Sequence, residues 1–223
     1  MNDLFKTLVE FGPDLWKATL DTFIMVGATM ASAIIIGTPL GVLLFVTTPG
    51  GLYPRPVLNR VVGYLVNVLR SFPFIILLVL LIPFSRFVVG TSIGPKAAAV
   101  ALSFAVIPYF ARLVEQNLRD VPRGVIEMAR ACGASGTDMV FKVLLSEALP
   151  ALVGSLTVTA TGFIAYSAVA GAVGAGGLGD LAIRYGYYRF ETGVMIWCVV
   201  IMFVLVQATQ IAGGWLGERL DHR

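Results

Sequence analysis

The chain has 223 residues, 57% of them hydrophobic and only 13% charged, with a mean hydropathy of +0.87. Soluble domains carry about a quarter charged residues, so this composition excludes a soluble globular protein and indicates an integral membrane protein. The net charge of +3 gives no case for nucleic acid, and Cys132 and Cys198 stand in unrelated contexts without zinc or disulfide spacing, so both read as buried thiols.

The N-terminal stretch MNDLFKTLVEFGPDLWKATLDTF lacks the basic start, short apolar core and small-residue cleavage site of a secretory signal. It reads as a retained tail leading into the first span. A helix needs about 20 apolar residues to cross the hydrocarbon core. Five segments approach that length, at 20–46, 61–84, 96–114, 151–173 and 192–213, so the expected fold is all-α and polytopic, one membrane domain over 1–223. Gly37, Pro39 and Gly41 in the first span and Pro73 in the second are tolerable where neighbouring helices satisfy the freed backbone groups, and such residues mark close helix contacts more often than hinges.

In the second span, RSFPFIILL places Arg70 about ten residues in, where a charge is costly. Either Arg70 is a functional intramembrane charge, or the span starts later and the guanidinium snorkels to the inner surface. The third span is the weakest of the five, because Pro108 interrupts it and Arg112 and Glu115 follow soon after.

Five spans put the termini on opposite sides. With the N-terminus outside, the inner segments carry nine basic residues (Arg55, Arg60, Arg112, Arg119, Arg123, Arg130, Lys142, Arg219, Arg223) and the outer ones six. That bias favours N-out and C-in. Asp3, Glu10, Asp14 and Asp21 outnumber the tail's two lysines and agree with its export. His222, alone in the C-terminal tail, reads as solvated.

Between the third and fourth spans, residues 118–149 form an inner loop with two helical signals. Pro122 suits a first turn and Gly133 suits the position after a helix where φ is positive. Val125, Met128, Ala129 and Cys132 fall on one apolar face, away from Arg123, Glu127 and Arg130. Ser135 to Asp138 reads as a capping box opening a second helix through about Glu147. On spacing alone this is an amphipathic surface segment with Glu127 and Arg130 as an ordinary i,i+3 pair.

The fourth span is rich in small and hydroxyl residues. Ser155, Thr159, Gly162 and Tyr166 share a helical face, as do Ser167, Gly171 and Gly174, and the ordinary reading of each is helix packing with hydroxyls bonded to nearby carbonyls. As a set they make this span the choice for lining a passage, with Phe72, Thr161, Tyr166 and Ser167 as the candidate residues. GAVGAGGLGD then contains G-x-G-x-x-G at Gly174, Gly176 and Gly179. A dinucleotide site requires that motif between a strand and a helix, and here it follows a span, so the glycines serve a turn or a dip toward a cavity.

The order Glu127, Met128, Ala129, three residues, Gly133, nine residues, Val143, then a Leu-rich end at Pro150 resembles the EAA loop of ABC-importer permeases, E-A-A-x3-G-x9-I-x-L-P. Met128 stands where the first alanine is usual and Ser146 where the proline is usual. RSFPFIILL, IPFSRFVVGTSIG, this loop and AYSAVAGAVGAGGLGD occur in the order found in permeases of bacterial methionine-uptake ABC transporters, which the chain resembles over nearly its whole length. The resemblance implies a type I importer permease fold of five transmembrane helices with a cytoplasmic coupling helix. It implies a homodimer in the bacterial inner membrane, two ATPase subunits that bind ATP and Mg below it, and a methionine-binding lipoprotein above. By motif position it gives the ATPase contact to Glu127, Ala129, Arg130 and Gly133, and by their place in the turn to Ala134 and Ser135. The glycines Gly174, Gly176, Gly177 and Gly179 would face the binding protein.

None of the four lysines follows a glycine as a P-loop requires, so the chain itself is expected to hold no cofactor and to hydrolyse no ATP by that route. Within the class, another amino acid or a quaternary-ammonium osmolyte is the alternative substrate, the latter requiring an aromatic cage in the binding protein. An intramembrane enzyme is a poorer reading, since the spans hold no paired carboxylates, histidine cluster or Ser/His or Ser/Lys pair. A structural membrane anchor is the third.

Overall fold

The computed structural model describes the backbone of residues 2–221 and the side chains of residues 4–221, and it is helical, with no strand among the described residues. His222 lies outside them. Among the described residues, four helical stretches are long and apolar enough to cross a membrane: Leu4–Val46, Pro95–Arg119, Gly136–Ala175 and Thr192–Leu220. A fifth crossing exists if the broken pair Pro56–Arg70 and Phe74–Leu80 counts as one.

The first helix begins far earlier than expected. α1 (Asn2–Ser32) passes through a wider π turn at Ala33–Gly37 into α2 (Thr38–Val46), and the N-terminal tail is part of it. Good helix formers such as Leu4, Lys6, Leu8 and Glu10 let the helix extend past its apolar part. The second span is broken where one helix was expected. α3 (Pro56–Arg70) ends at Ser71, and α4 (Phe74–Leu80) restarts after Pro73. Pro73 has no N–H to offer the ladder and drives Phe72 out of the helical region, so here proline makes a break and not a packing contact. α5 (Ile82–Val89) follows and stops at Gly90, where φ is +76°.

α6 (Pro95–Arg119) is the most deeply buried of the crossing helices, although its sequence looked the least fit. Pro108 sits within it without ending it. The loop carries α7 (Arg123–Ala131) and the short α8 (Gly136–Asp138). α8 does not stop near Glu147 as expected. It runs through a π turn at Met139–Leu144 into α9 (Leu145–Ala170), so the loop's second helix and the fourth span form one rod. After the glycine turn come α10 (Gly177–Leu181), a further π turn at Ala182–Tyr187 and α11 (Thr192–Leu220).

Two compact units are formed. The first comprises the chain up to Ala31, Phe72–Ala105 and Ala160–Gln210. Its core joins Leu15 and Ala18 of α1 to Leu178 and Leu181 of α10, Ala182, and Val194 and Cys198 of α11. Trp197 donates its indole N–H to the Leu4 carbonyl at 3.0 Å, and Phe11 meets Tyr185 edge-on at 5.4 Å. These contacts give the extended N-terminus of α1 something to fold against.

The second unit comprises Ser32–Ser71, Val106–Thr159 and the chain from Ile211. Here α2 crosses α6 on glycines: a Cβ on Gly37 or Gly41 would press into the backbone and side chains of Ile107, Phe110, Ala111 and Val114. Small residues four apart let two helix backbones approach, which is how packing supplies stability where apolar transfer does not. Asn59 at the start of α3 donates to the Leu44 carbonyl at 2.7 Å and to Thr47 Oγ1 at 3.0 Å, tying α3 to the end of α2.

In both units most buried hydroxyls bond to their own helix, whereas Ser85 of α5 donates to the Ala97 carbonyl of α6 at 3.1 Å. Thr19, Thr22, Thr29, Thr47, Thr159 and Ser167 each donate to a carbonyl three or four residues back, so none is left unsatisfied in apolar surroundings.

Candidate functional site

The loop between α6 and α9 is built by local signals. Pro122, at φ −58° and ψ 131°, leads into α7. At the other end the Gly133 N–H donates to the Arg130 carbonyl and the Ala134 N–H to the Ala129 carbonyl, both at 3.0 Å, with Gly133 at φ +77°. This is the double-bonded helix stop in which glycine supplies the left-handed conformation. Ser135 then caps α8: its Oγ accepts the Asp138 N–H at 3.1 Å and donates to the Asp138 carboxylate, whose other oxygen pairs with Lys142 at 2.6 Å. The hydrogen bond from Lys142, and next that from Ser135, hold the Asp138 carboxyl below the usual range, outside the expected spans.

α7 buries none of its residues. Its expected apolar face is uncovered: Val125 and Ala129 are half-buried, Met128 is 64% exposed and Cys132 is exposed, not buried as expected. Glu127 and Arg130 are both exposed and make no ion pair with each other among the described residues, which removes the ordinary surface-pair reading of that spacing. α7 thus presents a glutamate and an arginine with no ion-pair partner among the described residues, beside an apolar stripe that is only partly covered.

One contact in this region had no signal in the sequence. A Cβ on Gly136 would fall on the phenol of Tyr53, from the connection between α2 and α3, so that ring lies against the start of α8.

The candidate passage residues lie in the first unit. Tyr166 is 43% exposed and stacks obliquely on Phe74 at 5.0 Å and on Phe163 at 5.2 Å. Phe72 is 44% exposed in the break before α4, and Thr161 is half-buried. Ser167 differs from these. It is 2% exposed and donates to the Ile164 carbonyl, so it faces the interior of its unit and offers no surface to a passing solute.

The glycine motif is a turn followed by tight packing. Gly174, Gly176 and Gly177 have φ of +90°, +80° and +80°. Gly171 and Gly179 bring α9 and α10 together, since a Cβ on either would meet backbone of the other segment. Thr22 Oγ1 accepts the Leu178 N–H at 3.0 Å. Gly177 and Gly179 are buried, which corrects the expectation that all four glycines face outward; Gly174 is exposed and Gly176 half-buried. Asp180 pairs with Arg184 at 2.8 Å.

The model of the binding-protein-dependent transport system inner membrane component family matches residues 37–222. The chain belongs to this family. This permease is 46% identical over 209 residues to the probable D-methionine transport system permease protein MetI of Vibrio cholerae, covering 94% of this chain and 93% of that one. It is 43% identical over 210 residues to the methionine import system permease protein MetP of Bacillus subtilis, covering 94% and 95%. A chain of the MetNI methionine ABC transporter, solved in inward-facing conformations, matches the permease with a TM-score of 0.90 at 42% identity over 97% and 99% of the two chains. An amino acid ABC transporter solved with histidines shares the fold, with a TM-score of 0.78 at 18% identity.

Proposed function

We propose that this chain is the permease subunit of an ATP-driven ABC importer and forms the passage for methionine across the bacterial inner membrane by alternating access. The observation that carries this reading is the likeness over nearly the whole chain to relatives named as methionine permeases. The chain acts as a homodimer, since its few helices enclose little alone and a twofold interface completes a channel. The N-terminus lies outside and the C-terminus in the cytoplasm, a reading supported by the excess of basic residues on the loop side. Residues 1–223 work as a single permease domain, because α6, α9 and α11 each have residues in both compact units.

Two separate ATPase subunits bind ATP and Mg and grip α7 of each protomer at Glu127, Ala129, Arg130 and the Gly133–Ser135 turn. The uncovered stripe of α7 supports this. Because α8 runs without a stop into α9, a displacement there passes as a rod movement into the fourth span. Such a movement switches a packed bundle between two arrangements. Phe72, Thr161 and Tyr166 line the passage, and the outer turn at Gly174 and Gly176 meets a methionine-binding lipoprotein.

The test is to purify the tagged chain with its native partners, weigh the assembly by native mass spectrometry, and measure uptake of L- and D-methionine in proteoliposomes. Two copies of this chain with two P-loop ATPases and ATP-dependent methionine uptake are expected. A complex without an ATPase, or uptake of another amino acid in preference to both isomers, overturns the reading.

A further inference from the structure

In the second unit a cavity of about 340 Å³ lies among Arg70, Tyr109, Arg112, Glu115, Gln116 and Arg119. Its charges do not balance. Glu115, 4% exposed, accepts from Arg112 and Arg119 at 2.5 Å each, so both of its oxygens are occupied. Arg70 makes no ion pair among the described residues; its guanidinium lies over the Tyr109 ring at 5.8 Å. Three guanidiniums thus face one carboxylate, a surplus of two positive charges. Arg112 also donates to the Gly63 carbonyl at 2.9 Å, which fixes its plane, yet its Nε is buried and meets no acceptor.

We propose that this cavity is an oxyanion site and that its occupant is the headgroup of an anionic phospholipid. A fixed arginine fork with unmet donors is matched by the two oxygens of a phosphate. Arg70, Gln116 and Arg119 are exposed, so a headgroup reaches them. α3, the helix that ends in Arg70, presents an exposed apolar row of Val57, Val61, Tyr64, Leu65 and Leu69, suited to acyl chains. Basic pockets between membrane helices hold anionic lipids by this combination of charge and grease. The inference requires only that the chain lies in a membrane, and it stands or falls separately from the transport reading.

The experiment is native mass spectrometry of the full-length chain in the assembly it forms in mild detergent, titrated with phosphatidylglycerol, phosphatidylethanolamine or inorganic phosphate. Phosphatidylglycerol is expected to be retained in preference to phosphatidylethanolamine. Arg70→Gln is expected to lower that retention about fivefold, Arg70→Lys to keep most of it, and Arg86→Gln, a charge elsewhere, to leave it unchanged. Arg70 holds no ion pair, so its replacement spares the fold, and an unshifted thermal unfolding curve checks this. Equal retention of the two lipids, or full retention in Arg70→Gln, overturns the proposal. Displacement of the lipid by millimolar phosphate, lost in Arg70→Gln, supports the oxyanion site and overturns the headgroup as its occupant.

Discussion

The N–H of Ala134 donates to the carbonyl of Ala129 across Gly133, so the residue expected to contact an ATPase is locked to the turn that ends its helix. Gly133 makes this possible at φ +77°, a conformation that costs an ordinary residue roughly 1–2 kcal/mol. Gly133→Val is expected to loosen α7 while leaving the membrane part folded. Methionine uptake and its coupled ATP hydrolysis should fall several-fold with the thermal unfolding of the complex little changed, and Gly133→Asn should retain more activity than Gly133→Val.

Ser135 is the cap through which α8 starts, and removing such a cap costs about 1 kcal/mol. Ser135→Ala should therefore raise hydrogen exchange at the amides of 136–144. The Asp138 carboxyl in the same cap is held below its usual range by Lys142 and then Ser135. A lowered folded value means that its contribution is present above the unfolded value of about 4 and is lost as pH falls through the folded one. Exchange over 136–144 should be flat from pH 8 to 5, after correction for intrinsic rates, and rise only at more acid pH.

How far the sequence could be read depended on whether a feature was local. Gly133 and the Ser135–Asp138 box act over a few residues, and both stand where their chemistry put them. Pro73 and Pro108 look alike in sequence but differ in the fold. Pro108 stays inside a helix, whereas Pro73 stands at the break between α3 and α4, so a proline within an apolar run does not by itself tell which will happen. The bond from Arg112 to Gly63 joins residues 49 apart, and the ring of Tyr53 lies against Gly136 from still further along the chain; no spacing rule reaches such pairs. The exposure of Cys132 was missed because an apolar stripe predicts burial without saying whether this chain or another does the burying.

Glycines that carry packing should be separable from those that carry none. A Cβ on Gly41 meets the Ala111 carbonyl and Val114, and one on Gly179 meets the backbone of Ala168. Overpacking of this kind costs about 1–3 kcal/mol. Gly41→Ala and Gly179→Ala should each lower the unfolding temperature of the detergent-solubilised protein, while Gly12→Ala, with nothing within 4 Å, should leave it equal or slightly higher.

Tyr166 and Ser167 are adjacent in sequence but should behave differently. Tyr166→Ala removes an exposed ring stacked on Phe74 and Phe163 and should reduce methionine uptake at least several-fold, in an assembly of unchanged mass. Ser167→Ala removes a buried hydroxyl bonded to its own helix and should change uptake by less than about twofold, since such a bond contributes about 1 kcal/mol to folding and nothing to a passage. Equal losses in the two variants would place the passage on a different face of α9.

Cys132 lies exposed at the end of α7 and Cys198 is fully buried, so a membrane-impermeant maleimide has one target in the folded chain. With the N-terminus outside, that target faces the cytoplasm. Intact cells should leave the protein unlabelled, and inside-out vesicles should take up one label per chain, abolished by Cys132→Ser. Because an ATPase seated on α7 covers the same helix face as Cys132, vesicles stripped of peripheral subunits should label faster than unstripped ones. Labelling in intact cells would reverse the topology and with it the assignment of α7 to an ATPase contact.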